Sequence, residues 1–219
     1  MQSRPGSGKT TSQKSVGLYS ATPATPPPKQ TGYCTFCALR EYSGMSYPAF
    51  ITDILRDAQM PRISTHEPPP DKRLIQRITV AEDHEIARAN GPNRKCIRSL
   101  LYLLAGGLEQ AHRIVQELST SDAAYIHGMI HRIDDDFDNA RYWFHRAGME
   151  PAAAEIYRRA AANSLTFASR SIWDPILLTD MLEKSRNAGV TDELRAILTL
   201  EFEVLLQFLS DTTELGAEA

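Results

Sequence analysis

Apolar residues recur along most of this chain at helical spacing, and no stretch alternates as a half-buried strand would. Phe50, Ile54, Leu55 and Ala58 place a short helix within residues 47–60, where Pro48 suits the first turn. Leu74, Ile75 and Ile78 begin a second helix, stopped by Asn90-Gly91-Pro92. Residues 96–105 form an apolar helix ended by Gly106-Gly107, and Leu108, Ala111, Val115 and Leu118 make one stripe of the next. Two further helices, joined by an acidic turn, occupy residues 122–151. An Ala-rich helix follows, then one opened by Asp174-Pro175 and stopped near Gly189. Leu194, Ile197, Leu198, Phe202, Leu205 and Leu209 form the apolar face of the last. The pattern predicts an all-α fold of about eight helices packed as antiparallel hairpins.

The segments before and after this pattern differ in composition. Residues 1–40 are rich in Ser, Thr and Pro, lack periodicity, and predict a disordered basic tail; residues 211–219 predict a second, short one. Between them lie N-terminal helices with a Pro-rich linker, residues 41–92, and a helical core domain, residues 93–210. The tail carries five basic residues and no acid, so it is +5 within a total of −3, and the remainder is −8. That balance argues against nucleic acid as a partner. The longest apolar run, residues 100–108, is about half of what a bilayer-spanning helix requires, so no membrane span is expected. Three cysteines make a disulfide framework a poor expectation and a reducing, cytoplasmic location the better one. A basic, acid-free tail also fits organelle targeting, although Pro5, Pro23 and Pro26 to Pro28 interrupt any amphipathic helix there.

Two familiar spacings lie near the N-terminus. Gly6-Ser7-Gly8-Lys9-Thr10-Thr11 ends like a phosphate-binding loop, but Ser3 stands where the first glycine belongs and no strand precedes it. Cys34 and Cys37 have the spacing of half a zinc site or of a redox pair, and need further ligands or a strand-helix context to act as either.

Chemistry concentrates in the hairpin of residues 122–151. Gly128, Ala140, Phe144 and Ala147 have the small-small-aromatic-small spacing that resembles the packing set of a tetratricopeptide repeat, repeated weakly upstream by Ser99, Ala111, Val115 and Leu118. His127 and His131 lie four residues apart on one face of the first helix, opposite Ile126, Ile130 and Ile133. Imidazoles on a packing face must be neutral, hydrogen-bonded or metal-bound. On the second helix, Asn139, Tyr142, Trp143 and Arg146 define an adjacent polar and aromatic face suited to a ligand. Glu109, His112 and Gln116 face the same way from the preceding helix. A carboxylate with His112, His127 and His131 is a sensible ligand set for zinc, iron or manganese. The same histidines also serve as structural hydrogen-bonding residues in a packed core. The acids of Asp134 to Asp138 superficially suit calcium, but Asn139 replaces the turn glycine and His145 the final Glu. Asp136 as a helix N-cap explains the run more simply.

These residues also resemble a family of uncharacterised helical proteins with the hallmark His-Arg-x-Glu/Asp-x-Asp-x-x-Asn-Ala-x-Tyr-Trp-Phe/Tyr-x-Arg-x-Gly-x-x-Pro. Here that set is His131-Arg132, Asp134, Asp136, Asn139-Ala140, Tyr142-Trp143-Phe144, Arg146, Gly148 and Pro151. Ala111-His112 with Gln116, and Trp173-Asp174-Pro175, resemble flanking parts of the same pattern. The likeness spans about residues 99–209 and implies no reaction; the family often has His before the proline, where this chain has Glu150. Two functions are expected: first, a helical-hairpin scaffold whose partner is another protein; second, a small metal-dependent or acid-base enzyme acting on a small molecule in a His-rich pocket.

Overall fold

The computed structural model of the chain describes residues 47–58, 69–87, 91–148 and 151–215, and these are all helix and connecting turn, with no strand. The glycine-lysine stretch, the Cys34/Cys37 pair, the N-terminal tail and most of the proline-rich linker lie outside the described residues. Eleven helices are present among those described, where about eight were predicted. They are α1 Ala49–Asp57, α2 Lys72–Val80, α3 Asp83–Ile86, α4 Pro92–Ala105, α5 Leu108–Val115 and α6 Ser121–Ile133. After these come α7 Phe137–Ala147, α8 Ala153–Asn163, α9 Leu165–Ala168, α10 Pro175–Ser185 and α11 Asp192–Leu215. The helices absent from the sequence pattern, α3 and α9, are single turns of four residues, too short to show a helical period.

Helix boundaries follow local chemistry. Asp71, Thr120, Asp136 and Asp174 accept hydrogen bonds from backbone N–H groups of the first turns they precede. Pro92 and Pro175 stand at first-turn positions where a missing N–H costs nothing. Gly106 closes α4 with φ 79°, a left-handed conformation that glycine adopts without strain. The acidic turn between α6 and α7 works similarly: Asp135 takes φ 60°, which Asp tolerates, and Asp136 caps α7. The last helix runs to Leu215, past the predicted boundary at residue 210, because no Gly or Pro interrupts it before Gly216.

Packing is pairwise. Helices α4 and α5 form one hairpin, fastened where the Ser99 hydroxyl donates to the Ala111 carbonyl at 3.1 Å. Helices α6 and α7 form the second, in which Gly128 lies against the face of Phe144. A Cβ added at Gly128 would stand 2.8 Å from that ring. Helix α5 also packs on α6, and α11 lies across α4 and α8. The N-terminal helices share this core: Ile51, Ile54, Leu74 and Ile78 are buried, and Arg98 holds the Ile78 and Ala81 carbonyls.

A charged network sits inside this apolar packing. Arg132 of α6 and Glu201 of α11 are 3% and 0% exposed and form an ion pair. Tyr125 donates to Glu201 at 2.6 Å, and the Trp173 indole N–H donates to Tyr125 at 2.7 Å. Burial, and then the neighbouring Glu201 carboxylate, raise the Tyr125 pKa well above its ordinary value, so the phenol stays protonated as a donor. Such a pair adds little net stability, but removal of one partner strands a buried charge. Glu201→Ala is therefore expected to lower unfolding free energy by about 3–5 kcal/mol. Arg132→Met with Glu201→Leu should recover most of that loss. Urea denaturation checks both; a single-mutant loss below about 1 kcal/mol would contradict the buried pair.

Candidate metal centre

Three helices contribute to the site, and each presents its residue for a local reason. In α6, His127 and His131 are one turn apart and point away from the stripe that holds Ile126, Ile130 and Ile133. Helix α5 lies alongside and brings His112, the residue after the buried Ala111. Helix α7 supplies Asn139 and Trp143, one turn apart, on the side next to Ala140 and Phe144. Because Gly128 and Phe144 touch, the residues just before them, His127 and Trp143, are brought face to face: their rings stack at 3.8 Å between centroids and 14° between planes.

The three imidazoles converge. His112 Nε2 and His127 Nε2 are 2.8 Å apart, a hydrogen bond if one ring donates to the other. The His127 and His131 rings stack at 4.9 Å, while His112 stands edge-on to both. One ring nitrogen from each of the three falls within 4.8 Å of the other two, the one such group of His, Cys, Asp and Glu among the described residues. His127 is 4% exposed, and its Nδ1 is buried without a hydrogen-bond partner. His131 Nδ1 faces Asp136 Oδ2 at 3.5 Å, and the Asn139 amide nitrogen lies 3.2 Å from His131 Nε2 and from Asp136 Oδ2.

At His127 and His131 the surroundings favour the neutral imidazole. Burial, then the adjacent His112 and His131, push the His127 pKa down from 6.5 to about 3. Burial likewise lowers the His131 pKa, against the opposing pull of Asp136 and Asp134. Neutral imidazole is the form that binds a metal. Tetrahedral zinc, with nitrogen ligands about 2.0–2.1 Å away, holds its donors roughly 3.3 Å apart. The His112–His127 separation lies below that value and the widest separation in the cluster is up to 4.8 Å, so holding one ion would require the side chains to rotate. Asp136 beside His131 Nδ1 is the carboxylate partner that commonly orients a ligating histidine.

The predicted set is altered at two points. Glu109 does not join the histidines: it is exposed and pairs at 2.7 Å with Arg113, one turn along the same helix. Without a carboxylate ligand the case for manganese weakens, and zinc or iron suits an all-imidazole set. Gln116 ends α5 on the exposed surface and adds nothing to the cluster. Tyr142 and Arg146 lie at the outer edge: the Tyr142 ring meets Trp143 edge-on at 5.5 Å, and the Arg146 guanidinium lies 5.3 Å from the Trp143 ring centre. Besides capping α7, Asp136 contacts His131, five residues before it across the turn.

Comparison of the chain with protein-family models, curated proteins and solved structures returned no match. Among the described residues no helix is long and apolar enough to cross a membrane.

The lowered His127 pKa carries a sign. Between about 3 and 6.5 the folded metal-free protein binds fewer protons than the unfolded chain. Its stability is therefore full above the upper value and falls as pH drops towards the lower. His127→Asn should make this acid limb shallower in urea midpoints measured from neutral to acid pH. An equally steep limb in both proteins would contradict the shifted imidazole.

Proposed function

We propose that this chain is a metal-dependent protein in which His112, His127 and His131 hold one divalent ion, zinc or iron, for chemistry on a small molecule. The observation that carries this reading is the convergence of three ring nitrogens within 4.8 Å around His127, which burial holds in the neutral form. Structural zinc sites are usually closed by four protein ligands, whereas catalytic ones keep three and leave a position for water or substrate. Among the described residues the cluster offers three. An ion there would act as a Lewis acid and lower the pKa of bound water towards neutrality, which suits hydrolysis or hydration. The protein's part is to keep His127 and His131 neutral, to orient His131 through Asp136, and to wall off one side with Trp143.

The other expectation, a scaffold that binds a protein partner, draws support from hairpin packing alone. That packing is internal, Gly128 against Phe144, and marks out no surface for a partner. The three-histidine cluster names its own atoms and is the better-supported reading.

Element analysis by plasma mass spectrometry on protein purified without an affinity tag tests it. About one metal per chain is expected, falling to background in His127→Ala and His131→Ala variants that retain helical circular dichroism. Folded wild-type protein that takes up no zinc or iron on reconstitution would overturn the reading.

A further inference from the structure

An ion held by three neutral imidazoles keeps its full double positive charge, since no carboxylate in the set offsets it. Its remaining coordination position favours an anion. A second feature points to the same ligand chemistry at the outer edge of the site. Arg146 Nη1 donates to the Tyr142 hydroxyl at 3.3 Å, and its guanidinium carbon lies 6.0 Å from the Tyr142 ring and 5.3 Å from Trp143. Two aromatic faces and one hydrogen bond thus orient the guanidinium, one indole away from His127.

Among the described residues, its one hydrogen bond leaves most of its donors unspent. A guanidinium has five N–H donors in a fork that matches carboxylate and phosphate oxygens. Arg132, Arg141, Arg158 and Arg159 each spend theirs on a carboxylate. Among the described residues Arg146 has no carboxylate partner. Tyr142, 52% exposed, accepts from Arg146 and keeps its own hydrogen to donate.

Resting on the metal reading above, we propose that the ligand of this centre is a small molecule bearing an oxyanion, carboxylate or phosphate. Arg146 and Tyr142 grip that group while a second polar group of the same molecule reaches the metal. The side wall between the two anchor points is Trp143, so the ligand lies along the indole edge.

Calorimetric titration of the zinc-loaded full chain with succinate, its phosphonate analogue 3-phosphonopropionate and neutral succinamide tests this. Visible absorption of the cobalt-substituted protein reports the metal's coordination during the same titrations. One of the anions should bind and change the cobalt spectrum, and succinamide should not; whichever anion binds tighter identifies the group as carboxylate or phosphate. Arg146→Ala should weaken that binding by roughly tenfold or more, the usual worth of a charge-assisted contact, without changing metal content. Arg146→Lys and Tyr142→Phe should each weaken it less. Metal uptake with no anion bound, or anion binding equally tight in Arg146→Ala, would overturn this proposal and leave the metal reading standing. Absence of metal uptake would overturn both.

Discussion

The contact between Gly128 and Phe144 sets the distance between α6 and α7, and the candidate site follows from that distance. A side chain at residue 128 would press on the ring, so only glycine lets the helices lie this close. Each helix carries the next element of the site one residue earlier: His127 before Gly128, Trp143 before Phe144. Close approach at the core pair therefore forces stacking of the imidazole on the indole. One turn further along, His131 meets Asn139 by the same register.

Close packing alone does not decide which way α6 faces. Its opposite side is pinned by Arg132 and Tyr125, seven residues apart and both bound to Glu201 of α11. Arg132 also lies 5.3 Å from the Phe144 ring centre, so the ionic network and the hairpin contact share a side chain. Buried charges of this kind are weak stabilisers and strict orienters, because any rotation of α6 strands them. With that side fixed, His127 and His131 turn towards α5, where His112 completes the cluster. The protein thus supplies a buried setting that keeps His127 and His131 neutral and a carboxylate, Asp136, at its edge.

Much of this was legible from spacing. Caps such as Asp136 and Asp174, the prolines at first-turn positions, and the four-residue repeat of His127 and His131 are local signals, and the structure places them as read. Of the α7 polar face, Asn139 and Trp143 meet the histidines, and Tyr142 and Arg146 do not. Contacts across long sequence separations were not legible: nothing local pairs Arg132 with a residue 69 positions away. One signal was present and passed over. Glu201 falls in register with Leu194, Leu198 and Leu205, a core position where a carboxylate requires a buried partner. Glu109 was misplaced for the opposite reason. Its spacing to His112 is right for a shared ligand set, yet Arg113 offers a nearer partner on the exposed side.

The central claim concerns where an ion binds, so anomalous diffraction tests it most directly. Crystals grown with zinc, measured on either side of the zinc absorption edge, are predicted to show one strong anomalous peak bounded by nitrogens of His112, His127 and His131. A peak elsewhere, with His112 and His127 still hydrogen-bonded to each other, would contradict this placement.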